Sequence, residues 1–436
     1  MNLLSGKLQK KTDASRRELI SWAMYDFANS GYTTVIMTTI YSAYFVGVIA
    51  ASTQDISPGM PTLLWSMAIG LANFIVMIAG PVIGALADHR ASKKTFLFIS
   101  SVGCVIATAL LAFVEPGEVW QSMLLVTVSA VMFAQGENLI AAFLPELVSK
   151  EKMGRMSGYG WSVGYFGGLL TLGLCLMIIF WGKEQGMADT EVIPLTILLT
   201  AAIFALTAMP TFLWLRERAV AQPESNRLSY FRLSYNRLCQ TFKRAIHFQD
   251  LFRFLVALAV YQSGVSTVIV LAAIYAQETM GFGRQELIIL IMVVNVTAAV
   301  GAFVCGHLQD RIGSIPALTT TLLLWIIAIL IAFFAVSATH MWIAGNIIGV
   351  AMGASQSVGR ALVSKFTPAK RSGEFLGLWG VVIRLSAIVG PLSYGLVNFI
   401  TQGNHRLALL STLVFFVVGL LLLMRVDEKR GEMAAS

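Results

Sequence analysis

The sequence has few charged residues for its length. Asp, Glu, Lys and Arg make up only 12% of its 436 residues, whereas a soluble protein typically carries about 25%. Neither a soluble enzyme domain nor an intrinsically disordered chain fits this composition. Apolar residues instead reach 57%, and many lie in uninterrupted runs of about 20, the length that crosses a bilayer. The composition therefore predicts a polytopic membrane protein.

Cysteine and histidine are also scarce. The four cysteines show no CxxC or metal-ligand spacing, and the five histidines are not clustered. The sequence therefore predicts neither a disulfide framework nor a metal site. It also lacks a GxxxxGK[ST] loop and a GxGxxG motif in a βαβ context, so we expect no nucleotide and no other cofactor.

Long apolar runs account for most of the chain, and twelve of them can span a bilayer as helices. The predicted spans are Ala23–Ile49, Leu63–Leu86, Thr95–Val114, Val119–Ala142, Met156–Phe180, Val192–Leu215, Leu251–Ala276, Glu286–Cys305, Pro316–Val336, Met341–Val363, Gly373–Ile400 and Leu407–Met424.

Basic residues are distributed unevenly among the connections. Of the 31 Lys and Arg residues, 25 lie at the two termini or in connections from an even-numbered to an odd-numbered span. Only Lys183, Arg284 and Arg406 lie on the other side. The positive-inside rule therefore predicts cytoplasmic termini. The polar N-terminus with a long span behind it does not fit a cleaved signal peptide. The net charge is +8, and the basic residues that produce it lie mostly on the predicted cytoplasmic side, where they face anionic lipids. No nucleic-acid partner is therefore expected.

The longest polar stretch divides the chain into two halves. We predict an N-terminal six-helix bundle over residues 1–215, a basic cytoplasmic linker over 216–250 and a C-terminal six-helix bundle over 251–436. In the linker, apolar residues recur every three or four positions between Leu228 and Ile246. This spacing predicts an amphipathic helix on the cytoplasmic leaflet, with a protein-docking helix as the alternative.

A short loop motif occurs once in each half. Its positions are Gly84, Asp88 and Arg90 after the second span, and Gly306, Asp310, Arg311 and Gly313 after the eighth. Two prolines, Pro145 and Pro368, close the fourth and tenth spans. The offset between these prolines equals, to within one position, the offset between the two copies of the motif. The shared offset indicates duplicated bundles, which place a substrate site near the membrane midplane.

The loop motif resembles the cytoplasmic-loop signature of the major facilitator superfamily. The second copy fits well, while the first departs from it at His89, Ala91 and Ser92. The resemblance implies that the loops stabilise one transport conformation; a simple helix-turn-helix cap is the alternative reading.

A narrower resemblance lies in the first span. Residues 22–32, WAMYDFANSGY, are similar to the W-x-x-Y-D-x-A-N-S-x-Y opening of the vacuolar amino-acid effluxer-like ("unknown major facilitator") family. Residues 143–147 and 371–377 also resemble that family. The resemblance implies an all-α major facilitator fold with twelve transmembrane helices in two pseudo-symmetric six-helix bundles. It further implies export of amino acids in the fungal members.

Four ionisable residues lie within predicted spans, where charge is expensive and usually faces a cavity or a partner. Asp26 shares a helix face with Asn29, Ser30 and Thr33, and Glu137 is flanked by Gln135 and Asn138. Arg360 lies in the tenth span and Arg384 in the eleventh. The repeat places Glu137 and Arg360 at equivalent positions of the two halves.

Each of these residues has a functional and a structural interpretation. Asp26 is a candidate proton-coupling carboxylate or a hydrogen-bond hub that braces the first helix. The resemblance places the fourth and tenth helices on the central cavity, where Glu137 and Arg360 form a gate pair unless each has a permanent partner in its own bundle. Arg384 either binds an anionic group such as a carboxylate or forms a salt bridge to a helix-embedded acid.

Other polar residues within the spans either line the cavity or form interhelical hydrogen bonds. They are Asn73, Gln262, Asn295, Asn346 and Gln356.

These observations predict a non-enzymatic secondary active transporter that moves a small polar solute, such as an amino acid, with proton-coupled export as one mode. A multidrug or siderophore-type exporter and a non-transporting receptor or lipid-handling protein of the same fold are the alternatives. We further expect a monomer in a bacterial inner membrane.

Overall fold

The computed structural model describes residues 14–53, 57–147, 150–218, 246, 248–366 and 372–435. Its long helices are α1 (Arg16–Ala50), α2 (Met60–Arg90), α3 (Lys93–Leu111), α4 (Val119–Ala141), α5 (Lys150–Glu184), α6 (Asp189–Trp214), α7 (Gln249–Met280), α8 (Arg284–Ile312), α9 (Ser314–Phe333), α10 (Ala338–Lys365), α11 (Ser372–Ile400) and α12 (His405–Leu423). A helical turn at Leu144–Leu147 follows α4, and a short helix α13 (Glu428–Ala435) follows α12.

Each predicted span overlaps one long helix of the described chain. The ends differ where polar turns extend a helix beyond its apolar run, as at the start of α5. Eleven of these helices are long and apolar enough to cross a membrane. The helix outside this set is α10, which spans 28 residues and carries Asn346, Gln356 and Arg360. Apart from its ends, the predicted linker helix over 216–250 lies outside the described residues.

The first six helices and the second six, here called the first and second halves, repeat the same packing. In the first half α1 packs on α5 and α6, α2 on α4, and α3 on α4 and α6. In the second half α7 packs on α11 and α12, α8 on α10, and α9 on α10 and α12. The halves meet where α2 packs on α11 and α5 on α8. All-helical packing is expected in a bilayer, since a helix satisfies its own backbone groups.

Small residues allow the closest helix contacts. Gly168 of α5 faces Ser30 and Thr34 of α1, and Gly390 of α11 faces Ser263 and Thr267 of α7. In both α1 and α7 the Thr hydroxyl donates to the Ser carbonyl four residues earlier. The absence of a side chain on glycine lets the helix axes approach. This contact thus joins the same residue types in both halves, and it is closer in the second half.

A matched set of polar contacts lies within each half on the side where α1 and α7 begin, here called the clamp side. In the first half Glu217 accepts from the backbone N–H of Lys93 at 2.7 Å, and Arg218 donates to Glu18 at 2.9 Å. These contacts cap the start of α3 and fix the chain after α6.

The second half repeats this clamp. Glu428 accepts from the backbone N–H of Ser314 at 2.7 Å, and Arg430 donates to Asp250 at 2.7 Å. Glu428 thus caps the start of α9 as Glu217 caps the start of α3. The two halves therefore share their scaffold contacts as well as their helix order.

The first helix does not have regular α geometry throughout. It is α-helical over Arg16–Tyr32, π-helical over Thr33–Thr39, α-helical over Ile40–Tyr44 and π-helical again over Phe45–Ala50. π-Helical segments are rare and frequently occur at functional sites. The first one begins about one turn after Asn29 and about two turns after Asp26.

Candidate functional site

The centre of the molecule contains an ion pair between the two halves. Arg384 of α11 donates through Nη2 to Oε2 of Glu137 on α4, at 2.9 Å. Its Nη1 also lies 3.4 Å from Oδ1 of Asn73 on α2. Arg384 therefore contacts two helices of the first half, and its salt bridge to a helix-embedded acid agrees with the second of its two sequence-based interpretations.

A second contact between the halves involves Arg360 of α10. Its guanidinium carbon lies 5.2 Å from the ring centroid of Trp161 on α5 and 5.9 Å from that of Trp379 on α11. Both distances are within the range of cation–π attraction. Neither tryptophan was predicted from the sequence, because a Trp within a span is ordinary in a membrane protein.

Asp26 lies near these charged side chains. Its carboxylate lies against Gly160 of α5, a position where any side chain would collide with it. It is within electrostatic range of both Glu137 and Arg360. We call Asp26, Glu137, Arg360 and Arg384 the central charge cluster. The first half supplies its two acids and the second half its two arginines, so its formal charge is zero.

The predicted gate pair has a different arrangement in this conformation. Glu137 and Arg360 are close enough to interact electrostatically, but the hydrogen-bonded ion pair of Glu137 is with Arg384. The sequence repeat placed Glu137 and Arg360 at equivalent positions. The repeat does not predict how α11 is rotated about its own axis, and this rotation brings Arg384 to Glu137.

Buried polar atoms surround the cluster. Asn29 is buried one turn from Asp26, and its Oδ1 has no hydrogen-bond partner within the described part of the chain. The same holds for Nε2 of Gln135, which lies near Gly80 of α2 together with Asn138. A buried polar atom without a partner costs about 1–3 kcal/mol. Water or a polar ligand would remove that cost.

The remaining polar residues predicted within the spans differ in their surroundings. Gln262 is buried in α7, and Gln356 is exposed on α10. Asn73, Asn295 and Asn346 each donate to a carbonyl four residues earlier in their own helix. This local bond is a structural role that the sequence alone could not separate from cavity lining.

The loop motifs are seen only in part, because the side chains of Asp88 and Asp310 and the surroundings of Gly306 lie outside what the structure describes. Arg90 and Arg311 are exposed. Gly313 has a φ of +90° between α8 and α9, and Ala91 has a φ of +48° between α2 and α3. Both turns therefore use left-handed backbone, which is the conformation that glycine favours. A Cβ added at Gly84 would meet no atom within 4 Å outside its own helix backbone and its chain neighbours.

On the side opposite the clamps, polar contacts join the two halves. Arg284 at the start of α8 donates to Asp189 at the start of α6, at 2.8 Å. The Arg284 guanidinium also lies 5.2 Å from the ring centroid of Tyr44 on α1. Lys183 lies 3.5 Å from Gln285. We call the Asp189–Arg284–Tyr44 contact the outer latch.

The described residues contain no group of three or more His, Cys, Asp or Glu side chains that could hold a metal ion. Cys104 and Cys175 are buried free thiols, and Cys305 is a partly buried one.

Solved structures define the fold. A D-xylose–proton symporter superposes with a TM-score of 0.74 and 16% identity, over 95% of this chain and 98% of that one. A bacterial homologue of the human lysosomal transporter Spinster, in an inward-facing and unoccupied conformation, superposes with a TM-score of 0.72 and 14% identity, over 97% and 99%. The chain thus has the fold of a major facilitator transporter.

The sequence comparisons identify the family within this class. The profile of the family described as "Vacuole effluxer Atg22 like" matches residues 64–436, so the chain belongs to that family. A Bacillus subtilis (strain 168) relative, the uncharacterized MFS-type transporter YxiO, is 29% identical over 94% of each chain. Autophagy-related protein 22 of Kluyveromyces lactis is 23% identical over 85% of this chain and 80% of its own. The predicted family is therefore confirmed, and the relatives are transporters.

Proposed function

We propose that the protein is a secondary active transporter that moves a small polar solute, an amino acid or a related metabolite, by alternating access. The observation that carries this proposal is the central charge cluster. Charges inside a membrane protein usually mark a substrate or ion pathway. These four come from four helices, two in each half, and the Glu137–Arg384 pair joins the halves, as expected for a substrate site between two bundles.

The moving units in this proposal are two bundles, residues 1–215 and 251–436, joined by the 216–250 linker. The matched helix packing of the two halves supports this division. The outer latch closes the side opposite the clamps, and the ion pair of Arg384 and Glu137 joins the halves at the centre. Rocking of one bundle against the other opens each side in turn.

Asp26 is the proposed proton-coupling residue. It is partly buried beside Glu137 and Arg360, so its charge state alters the electrostatic balance of the cluster. The name of one relative in structure, a D-xylose–proton symporter, shows that this fold can couple a solute to protons. We propose that solute movement is coupled to proton movement here too, with protons moving against the solute so that an inward proton gradient drives export.

The proposed setting is a bacterial inner membrane, with both termini and the linker on the cytoplasmic side. The Bacillus relative supports the location, and the distribution of basic residues supports the orientation. We propose a monomer, because one chain supplies both halves of the site.

The proposal is tested by the thermal stability of purified, detergent-solubilised protein. The panel contains the twenty amino acids, simple carboxylates, amines and a set of bulky amphiphilic drugs. A ligand that binds the folded state raises the melting temperature by mass action. We expect a rise with at least one amino acid, followed by counterflow of that amino acid in proteoliposomes.

Two other outcomes would reject an amino-acid substrate. A rise with the bulky amphiphiles alone would support multidrug export. A lipid that remains bound through purification, with no counterflow of any solute, would support a receptor or lipid-handling role.

A further inference from the structure

We propose that Glu137 and Arg384 divide the recognition of a zwitterion between the two halves. Arg384 takes the carboxylate of an α-amino acid, and Glu137 takes its ammonium group. The bound ligand then replaces the direct ion pair as the bridge between α4 and α11. This inference rests on the proposed transport function and specifies how its site selects a substrate.

The geometry leaves both groups capable of binding a ligand. The side chain of Arg384 is 22% exposed and that of Glu137 is 46% exposed, although they are paired. Within the described chain, Arg384 engages Glu137 and Asn73 through one N–H group each. A guanidinium has five N–H donors in a planar fork that suits a carboxylate. Glu137 accepts through Oε2, so Oε1 can accept from an ammonium group.

The charge of the cluster selects for a ligand without net charge. Asp26, Glu137, Arg360 and Arg384 sum to zero. A zwitterion can replace one direct ion pair, because its carboxylate binds the arginine and its ammonium group binds the acid. The summed charge then stays at zero. An anion or a cation of the same size could pair with only one of the two groups and would leave the other without its partner, which is costly. The second acid and the second arginine, Asp26 and Arg360, keep the balance during the exchange.

The placement of the pair links binding to conformation. Glu137 lies in the first half and Arg384 in the second, so a ligand between them changes the spacing of the two halves. A ligand shifts a conformational equilibrium only when it binds the two states with different affinity. Here the difference arises because the ligand and the direct ion pair compete for the same two groups.

The test measures affinity by thermal shift for three related probes. For leucine these are leucine itself, leucinamide, which is a cation, and 4-methylpentanoate, which is an anion. The same three forms are used for whichever amino acid gives the largest shift in the panel. We expect the wild type to bind the zwitterion roughly tenfold or more tightly than either charged form, as for loss of one charge-assisted contact.

Two variants then separate the roles. In Glu137→Gln the preference for the amino acid over its deaminated acid should fall to about threefold or less, while the preference over the amide remains. In Arg384→Gln the preference over the amide should be lost instead, because the carboxylate has lost its partner. Glu184→Gln and Arg425→Gln, which remove exposed charges of the same types, should retain both preferences.

Each single variant leaves a charge without its partner and can therefore fail to fold. The double variant Glu137→Gln/Arg384→Gln removes both charges together. It should fold and bind all three probes with similar, weak affinity.

The outcomes distinguish this inference from the proposed function. Amino-acid binding with both preferences intact in Glu137→Gln and Arg384→Gln, or in the double variant, would overturn the inference and leave the transport function standing. A wild-type protein that binds leucine and 4-methylpentanoate equally would do the same. If no amino acid binds the wild type, the proposed substrate class and the inference both fail.

Discussion

The two halves of this transporter match at their edges and differ at their centre. The carboxylates that cap α3 and α9, Glu217 and Glu428, occupy the same place in each half. The close helix contacts made by glycine in α5 and α11 are also equivalent. At the centre, however, the position that Glu137 holds in the first half is occupied by Arg360 in the second.

This difference shows which parts of a duplicated fold are free to diverge. Scaffold contacts are retained in both copies because each bundle needs the same caps and the same close helix approaches. The central positions face the other half, so the two copies can carry opposite charges. Two identical copies would place like charges against each other across the site.

The largest expected effect comes from filling the equivalent glycine positions. An alanine Cβ at Gly390 would collide with the carbonyl oxygen of Ser263, whereas at Gly168 the nearest atom is Thr34 Oγ1 at 3.0 Å. Backbone cannot move aside as a side-chain hydroxyl can. We expect Gly390→Ala to lower stability by about 3 kcal/mol and Gly168→Ala by about 1 kcal/mol.

Melting temperatures of the purified variants measure this difference. The control is Gly380→Ala, also in α11, where no atom lies within 4 Å of the new Cβ. It should leave stability unchanged or raise it slightly, since alanine favours a helix. Equal losses of stability at Gly168 and Gly390 would show that the two halves tolerate overpacking alike. The closer contact at Gly390 would then not make an added side chain more costly there.

The next effect concerns Asp26, which has no acidic counterpart in the second half. Asp26 lies one turn before Ser30 of the shared glycine contact, and the residue one turn before the matching Ser263 is Ala259. If Asp26 couples protons, Asp26→Asn should reduce gradient-driven accumulation in proteoliposomes at least about tenfold. Exchange of solute without a gradient should continue, because the proposed ligand-binding groups on α4 and α11 remain.

The control for Asp26 is Glu184→Gln, which removes an exposed carboxylate and should leave both assays unchanged. A folded Asp26→Asn protein whose accumulation still follows the proton gradient would assign Asp26 to bracing α1 against Gly160. That result would also mean that this difference between α1 and α7 has no role in proton coupling.

A smaller effect is expected at the outer latch, where the halves again differ. Asp189 at the start of α6 contacts Arg284 of the other half, whereas Arg406 near the start of α12 donates to carbonyls of its own half at Phe333 and Ala335. Arg284→Gln should therefore favour opening of the side opposite the clamps. A half-exposed ion pair contributes about 1 kcal/mol or less.

A cysteine at Gln277, whose amide contacts the backbone of Ala43 across the halves at 3.4 Å, reports this opening. Its rate of labelling by a membrane-impermeant maleimide should rise about threefold to fivefold in Arg284→Gln. The matched Arg406→Gln variant should leave the rate unchanged. Equal rates in all three proteins would mean that the latch does not set the equilibrium.

The helices and the charged residues within them could be predicted from the sequence, but the pairing of the charges could not. Apolar runs and short motifs are local signals, and the repeat is visible as a fixed offset in the sequence, so the spans and the family could be predicted. The contact of Glu137 with Arg384 joins positions far apart in the sequence and depends on the rotation and conformation of two helices. The Trp161 and Trp379 contacts to Arg360 depend on the same rotations. The clamps were missed because their carboxylates look like ordinary residues of polar connections.

The smallest expected effect is a pH dependence of stability at the second clamp. Burial alone raises the pKa of Glu428, but hydrogen bonds from Ser314, Lys365 and the backbone of Ile315 outweigh it, and the pKa lies below its ordinary value of 4.5. A lowered carboxyl pKa means that the ionised clamp stabilises the folded protein above pH 4.5 and that this contribution is lost as the pH falls further.

The melting temperature of the wild type should therefore fall between about pH 5 and pH 3 by more than that of Glu428→Gln, by an amount that corresponds to about 1 kcal/mol. Glu184→Gln should follow the wild type.

Glu217→Gln, which removes the matching cap on α3, compares the two clamps directly. In the first half the nearby Lys93 ammonium donates to Glu146 at 2.7 Å. If the second clamp depends on the added contact of Lys365, Glu428→Gln should destabilise the protein at pH 7 more than Glu217→Gln. Equal losses would mean that the cap, which both halves share, supplies the stability at this edge.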